Sequence, residues 1–556
     1  MNTFESRKKA KTLIDRLEKL QAIRANWDSR WDYIARRVSP KEAVFQSEPV
    51  TGQPESAWKK FDSTASLAIQ KWASAMDGLT TPKTQKWHSL TLSDQDLAER
   101  YKDFLEKVRD ILFARRYSAS SNFTNSNFEN LKTIGTFGNG PFSLTANRDN
   151  TGNVYNVYKA WDLREFYVDQ NYEGEIDVFF RKFKLTARQA IQEFGELCPD
   201  KIKGCKDLSN TFDFLWAVYP NTNYKKGSLL ATNKKIASVY VCITTGELIS
   251  EGGFDVCPLF YPRYDVMPNL QDPYGYAPIL FCLPEVKNLN KMYADLLKVS
   301  DRMANPPILM TEDDIIERTS MTNDVIISGG IDANGNPRVA ALQLAQQTGL
   351  SLEMIQDLRT VINESFNLNL FQILVNKPDM TATEVLQRAQ EQGTLLGAFT
   401  SRREKEFLSL LIQKETELAW KQGALPEPPQ ELLEAIGSGD VVFSVQYESP
   451  IVRSQKADEG TAIMRTMEMA TALQQFDPSI KNKINAKRVL EKVADVWGAP
   501  ASIFNTEDEQ AAKDMEDAQL AQAQQMLAAA PVIGKSAKDM AQAQQIAGTN
   551  GLLGAE

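Results

Sequence analysis

The residue types that do most enzyme chemistry are scarce in this sequence. Its 556 residues include one histidine, His88. Acid–base catalysis and zinc binding both lean on imidazole, so a Ser-His-Asp triad would have to use His88. That residue follows Trp87 in TQKWHSLTL, which reads as a turn into a strand, and a structural place for the ring is expected. The five cysteines, Cys198, Cys205, Cys242, Cys257 and Cys282, are odd in number and form no C-x-x-C pair. They read as buried thiols of a reducing compartment, and no zinc site is expected. No phosphate cradle stands out. Gly534-Lys535-Ser536 lacks the first glycine of a P-loop, since Ala529 occupies that position. GTFGNG, Gly135 to Gly140, does not match G-x-G-x-x-G and reads as a helix end and loop before PFSLTA. Carboxylates are plentiful, as in TEDD at Thr311 to Asp314. A catalytic pair among them stays open on sequence, although charge runs are usually solvated faces.

The elements that would position these groups begin with a helix. Leu13, Leu17, Leu20, Arg24, Trp27, Trp31, Ile34 and Val38 alternate spacings of four and three, with one break at Arg24. A helix packed on its own domain is the better reading of that stripe. Further helices are expected over Ser56 to Asp77, Asp94 to Arg116 and Asn122 to Thr136. From about Asn153 the texture turns aromatic and β-branched, in NVYNVYKAWDLREFYVD, EIDVFFRKFKLT, FDFLWAVYP, IASVYVCITT and PLFYPRYDVMP. A short helix at Thr186 to Phe194 interrupts these strands.

Past Pro284 a broad apolar face recurs at Val286, Leu289, Met292, Tyr293, Leu296, Leu297, Val299, Ser300 and Met303, and Pro306-Pro307 stops the helix. A mixed insert follows from Ile308 to about Gly349, with GGIDANGNPR as its turn. A second helix, SLEMIQDLRTVINESFNLNLFQILV, leads into NKPDM. Beyond Pro378, Thr381 and Glu384 form a Ser/Thr-x-x-Glu capping box, in which hydroxyl and carboxylate each satisfy an orphan backbone N–H. Leu386, Ala389, Gly393, Leu396 and Phe399 then recur at helical spacing, and EFLSLLIQKETELAW restarts the pattern. One helix from Thr381 to about Lys421 is expected, roughly 60 Å long at about 1.5 Å per residue. Gly393 and Gly397 would admit a neighbour or a kink. The chain is helical again after Glu448 and turns Ala/Gln/Met-rich from Gln510, a composition that pairs with copies of itself or frays.

The totals narrow the class. The length suits three or four compact units, and the composition is that of a globular protein. A net charge of −9 argues against a dedicated DNA grabber without excluding DNA that passes through. The N-terminal MNTFESRKKAKTL has no apolar signal core, and no run reaches the roughly 20 apolar residues of a membrane helix, so neither secretion nor membrane insertion is expected.

Several stretches together resemble the portal, or head-to-tail connector, proteins of short-tailed bacteriophages. They are LTTPKTQKWHSL, GGFDVCPLFYPRY, DPYGYAPILFCLPEVKNLNKMYADLLKVSDRMANPPIL, MTATEVLQRAQE and YESPIVRSQKADE, in the family's order from Leu79 to Glu459. The last departs from the pattern at Ile451 and Val452, where Leu and a small residue usually follow.

The resemblance implies an α+β, predominantly helical fold with a wing, a two-helix stem, a small α/β clip and a helical C-terminal crown. The wing region would span 1–283, helical to about 150 and β-rich over 153–268. The first stem helix would be 284–305, the clip 306–349 and the second stem helix 350–375. A channel loop of Asn376, Lys377, Pro378, Asp379 and Met380 would face DNA. The long wing helix and a return strand would occupy 381–454, with Thr381 and Glu384 capping the turn out of the channel, and 455–556 would form the crown and a flexible tail.

The family forms rings, usually of twelve copies, at one capsid vertex. They conduct double-stranded DNA during packaging and ejection, and they need no cofactor. Expected partners are further copies of the chain, DNA, the terminase large subunit, tail adaptor or head completion proteins, and the major capsid and scaffolding proteins. No membrane is expected. The setting would be the virion, after assembly in the host bacterial cytoplasm. Glu312, Asp313, Asp314 and Glu317 would form a docking surface on the clip. The clip's charge is set by those four with Asp324 and Asp332 against Arg318 and Arg338, six negative and two positive, net −4. Two other classes compete on sequence: an assembly scaffold that conducts no DNA, and a carboxylate- or metal-dependent hydrolase.

Overall fold

The computed structural model describes residues 3–39, 45, 60–148, 152, 154–228, 230–267, 272–304, 308–310, 334, 339–341, 348–368, 397–438, 443–447, 450–473, 489, 490, 493, 513 and 515. Among these the fold is mixed helix and strand. The chain divides into two compact units, Met1–Asp458 and Glu459–Glu556. In the second, the described residues are chiefly the end of a helix that begins at Pro450.

Helix α1, Thr3–Val38, carries the expected stripe, and all eight of its positions are buried. The break at Arg24 is resolved by hydrogen bonds. Its guanidinium donates to the carbonyls of Phe166 at 2.6 Å, Arg164 at 3.0 Å and Leu163 at 3.2 Å. It also stacks 3.8 Å from the Tyr167 ring centroid and lies 2.9 Å from Asp28. Burial raises the Asp28 carboxyl above its usual range in spite of that cation.

Helix α2, Thr64–Thr80, starts later than the sequence suggests, because 60–63 is not helical. The next expected helix is two. After strand β1, His88–Leu92, come α3, Gln95–Arg100, and α4, Lys102–Arg116, separated at Tyr101. Asp94 accepts from the backbone N–H groups of Asp96 and Leu97 and so caps α3. Helix α5, Phe123–Phe137, ends on Gly138 at φ +79°, where a Cβ would lie 2.5 Å from the Tyr276 backbone. That is the helix end and loop expected of GTFGNG.

Strands β2, Phe142–Arg148, and β3, Val154–Ala160, pair antiparallel. Strands β4, Phe166–Gln170, and β5, Ile176–Thr186, open a five-stranded meander. Helix α6, Ala187–Phe194, follows with a capping box between Thr186 and Gln189, and then a short turn, α7, Asp200–Lys203. The meander continues with β6, Thr211–Pro220, β7, Ile236–Cys242, and β8, Glu247–Phe254. Strand β8 is not legible in the sequence: ELISEGGF has two glycines and little alternation, and its pairing with β7 defines it. Conversely, PLFYPRYDVMP contributes only the two-residue β9, Leu259–Phe260, which pairs with β2.

Strand side chains alternate between two cores. Tyr167, Val178, Phe180, Leu215, Ala217, Val239 and Val241 pack against the first half of α1. Phe166, Val168, Phe179, Phe214 and Trp216 join a core with the second half of α1, α2 and α5. Cys198, Cys242 and Cys282 are buried as free thiols, but Cys205 and Cys257 are only half-buried, against the expectation of five buried ones.

Helix α8, Leu283–Ala304, leads to strand β10, Ile308–Met310, which pairs antiparallel with β11, Val339–Ala341. Helix α9, Thr348–Ser365, returns from it. A turn at Phe366 and Asn367 interrupts the helical path, with Asn367 in the left-handed region at φ +53°, and Leu368 is helical again; 369–375 lie outside the described residues. Phe366 and Leu368 are buried in the main core on either side of that turn. The described chain resumes at 397 in a helical stretch. It passes through a π-helical segment, Glu404–Leu408, into α10, Ser409–Lys421. A Cβ at Gly397 would meet nothing within 4 Å among the described residues. After α11, Gln430–Ser438, strand β12, Phe443–Tyr447, returns to pair with β1, and α12, Pro450–Leu473, follows.

Candidate functional site

Two buried ion pairs and a buried arginine hold the helical stretch 397–421 to the body. Arg116 of α4 donates to both oxygens of Glu415, with Nε to Oε1 at 2.8 Å, and the Tyr158 hydroxyl donates to Oε1 at 2.6 Å. Both charged partners are essentially fully buried. Burial alone would depress the Arg116 guanidinium, but the Glu415 charge outweighs it and holds the proton more tightly than usual. Burial, and then Glu415, push the Tyr158 hydroxyl well above its ordinary value. Further along, Arg263 pairs with Glu406 at 2.7 Å, and its own backbone N–H donates to the same carboxylate at 2.9 Å.

Arg403 is buried without a carboxylate at hydrogen-bond distance. One terminal nitrogen donates to Asn127, which donates in turn to Asp77 at 2.6 Å, while Nε and the other nitrogen have no partner. Its guanidinium lies 4.7 Å from the Phe407 centroid, and burial pulls its pKa down to about 10. These contacts flank the π-helical segment and fix where the helix lies. Arg116, Glu415, Arg403 and Arg263 are buried, so they read as anchors rather than a reaction centre.

His88 is part of the same core. Its ring is fully buried, stacks on Phe113 at 4.8 Å and has no hydrogen-bond partner at either nitrogen. Burial first, then Arg116 and Arg109, hold it neutral well below the usual imidazole range. It has no carboxylate to orient it and no nucleophile to serve, so a structural place for this ring fits the geometry. Among the described residues, no group of His, Cys, Asp and Glu could hold a metal ion.

A different geometry marks the arm made by α8, β10, β11 and α9. At its root Asp62 accepts from Arg359 at 2.7 Å, and Asn290 accepts from the backbone N–H groups of Phe61 and Asp62 at 2.7 and 3.2 Å. The segment 60–62 thus ties both helices together. Burial alone would raise the Asp62 carboxyl, but hydrogen bonds from Thr64 and Arg359 outweigh it and hold it below the usual range. Val286, Leu289, Ile355, Ile362 and Phe366 are buried around this root. Farther out, apolar side chains are bare: Leu297, Met303, Leu352 and Met354 are all exposed. The broad face expected on α8 is therefore covered, fully or in part, as far as Leu296, while Leu297 and Met303 stay exposed.

The proposed channel residues Asn376, Lys377, Pro378, Asp379 and Met380, the docking residues Glu312, Asp313, Asp314 and Glu317, and the caps Thr381 and Glu384 lie outside the described residues. Sequence reading missed the Asp62–Arg359 clamp and the Arg116–Glu415 pair. Their partners stand about 300 residues apart in the chain, and each is an ordinary charged residue on its own.

The chain belongs to the bacteriophage head to tail connecting protein family, whose family model matches residues 10–504. Two relatives match over most of their length. One is the "Portal protein" of Salmonella phage epsilon15, 26% identical over 551 residues, covering 96% of this chain and 95% of that protein. The other is the "Probable portal protein" of Bordetella phage BPP-1, 25% identical over 507 residues, covering 88% of this chain and 87% of that protein. The family resemblance read from the sequence is thereby borne out.

Proposed function

We propose that this chain is a structural portal protein with no catalytic role of its own. Copies of it, twelve in the usual family arrangement, form a ring at one capsid vertex and conduct double-stranded DNA during packaging and ejection. The observation that carries this reading within the structure is the arm. Its two helices are clamped at the root and leave apolar faces bare farther out, as expected of a stem that neighbouring copies cover.

On this reading 1–283 is the wing region, α8 and α9 are the stem, and the insert 306–349 between them is the clip. The stretch 381–454 forms the long wing helix and return strand, with the crown beyond. Asn376 to Met380 form the channel loop, and Thr381 and Glu384 cap the helix that leaves it. Glu312, Asp313, Asp314 and Glu317 dock the terminase large subunit and later the tail adaptor or head completion proteins. The capsid and scaffolding proteins surround the ring, the protein resides in the virion, and assembly takes place in the host cytoplasm. Single-particle imaging of the purified protein tests the reading: closed rings with a central channel wide enough for duplex DNA, about 20 Å, are expected, and particles without a channel would overturn it.

A further inference from the structure

The turn between β4 and β5 carries a side chain that the function above does not use. Tyr172 is fully exposed, more so than any other large apolar side chain among the described residues. The turn beneath it is braced. The Asn171 side-chain oxygen accepts from the backbone N–H groups of Glu173 and Glu175, both at 2.9 Å, and Gly174 takes the left-handed conformation at φ +81°. Arg263 donates to the Gly174 carbonyl at 2.8 Å, and Lys405 pairs with Glu175 at 2.8 Å. An aromatic ring held on such a turn loses little backbone freedom on binding, which suits an interface anchor.

The other end of β4 carries a hollow. A half-open cavity of about 260 Å³ lies between α5 and the residues that precede β4. Phe45, Phe137 and Trp161 give it aromatic walls, and Glu129, Lys132 and Asp162 are among its polar members. Phe45 and Phe137 meet edge to face at 5.2 Å. Lys159 and Arg181 lie 3.8 and 3.7 Å from the Trp161 centroid. Burial first, then the Arg181 charge, hold the Lys159 amine below its usual range, so an added carboxylate would relieve that crowding of cations. Small-molecule sites usually measure about 300–1,000 Å³. This smaller hollow suits one large side chain.

We propose that Tyr172 of one copy seats in this hollow on the next copy. Its ring meets the aromatic walls, and its hydroxyl donates to Glu129 or Asp162, since a buried tyrosine needs a hydrogen-bond partner. Glu173 beside it comes to Lys132 and Lys159. The knob does not fill the hollow of its own chain. Trp161 to Leu163 precede β4 and Tyr172 follows it, and the five residues of that strand span about 17 Å. A knob and a hollow at opposite ends of a strand make a head-to-tail contact. Such a contact repeats from copy to copy and closes into a ring where the rotation allows. The inference rests on the ring proposed above and names a contact within it.

Cysteine cross-linking of the full-length protein under mild oxidation tests the contact. Thr133 lines the hollow and is half-buried. Tyr172→Cys/Thr133→Cys should give a ladder of covalent multimers on a non-reducing gel. The two single variants mixed together should give covalent dimers and nothing larger. Neither alone should cross-link more than the parent, which controls for the native cysteines. Tyr172→Ala should raise the protein concentration at half-assembly in sedimentation velocity by at least about tenfold, as loss of an interface anchor does. Its circular dichroism should match the parent's, because the side chain is outside the core. The same change at Tyr224, also exposed, should leave assembly as it is.

No ladder from the double variant, a Tyr172→Ala protein that assembles like the parent, or an equal loss from Tyr224→Ala would each overturn the contact. Tyr172→Cys cross-linking to itself would mean that two such turns meet about a two-fold axis, and would overturn it as well. Imaging the parent sample separates this from the broader reading. Channel-bearing rings without the cross-link refute this contact alone, and particles without a channel refute the portal function itself.

Discussion

At the scale of single residues, the chain places charge where water cannot reach and relies on partners to keep it there. Glu415 is the sharpest case. Truncating it strands Arg116, a fully buried cation, and unpaired buried charges of this kind cost roughly 3–5 kcal/mol. Glu415→Ala should therefore lower the melting temperature markedly, while Arg116→Leu/Glu415→Leu should recover much of the loss. If the double variant melts no higher than the single one, the pair is not what holds the helix. His88 makes a pH-dependent counterpart. Its folded-state pKa is depressed, chiefly by burial, so below the unfolded value near 6.5 the unfolded chain binds a proton that the folded chain refuses. Stability should fall as pH drops below about 6.5, by up to about 1.4 kcal/mol per pH unit from this group. No other histidine exists to blur the window. His88→Leu should flatten the melting temperature between pH 7 and pH 5. Parallel curves for parent and variant would remove His88 as the cause.

At the scale of elements, the arm shows how far local pattern goes. Helical spacing in the sequence marks one apolar side of α8, yet Leu297 is 47% exposed and Leu352 on α9 is 54% exposed. Both helices bury apolar residues toward the root and leave others exposed farther out. Leu297→Glu/Leu352→Glu should leave the fold intact, because neither side chain contributes to the core, and should abolish self-association. Sedimentation velocity with circular dichroism reads both. Assembly equal to the parent's would mean that copies meet elsewhere. The end of α9 belongs to the same scale. Asn367 adopts a left-handed conformation that asparagine tolerates better than most residues, and Phe366 and Leu368 drop into the core on either side of it.

At the scale of the whole molecule, the proposed ring turns single residues into belts. One lysine per copy at Lys377, partly offset by Asp379, becomes a ring of positive charge around the channel. Pro378 restricts Lys377 to extended conformations and cannot continue a preceding helix, which suits a sharp turn. Lys377→Ala should leave rings intact and change the retention of packaged DNA in a salt-dependent way. Unchanged assembly, packaging and retention would show that the loop does not act through this residue.

The sequence by itself determined the local elements and the family. The stripe from Leu13 to Val38, the short helix after Thr186, the turn at Gly138 and strands of the β-rich region all follow from nearest-neighbour spacing, and each is present. Spacing reports which side of a helix or strand is apolar, since that depends only on residues a few positions apart. Only the tertiary structure decided what covers each side. It supplied β8, which exists through its pairing with β7, and the π-helical segment at Glu404–Leu408 between two buried arginine contacts. It also closed β12 onto β1 and brought Asp62 to Arg359 and Arg116 to Glu415 across about 300 residues of chain. A buried charge is affordable only beside its partner, and no local pattern in a sequence records which distant residue that partner will be.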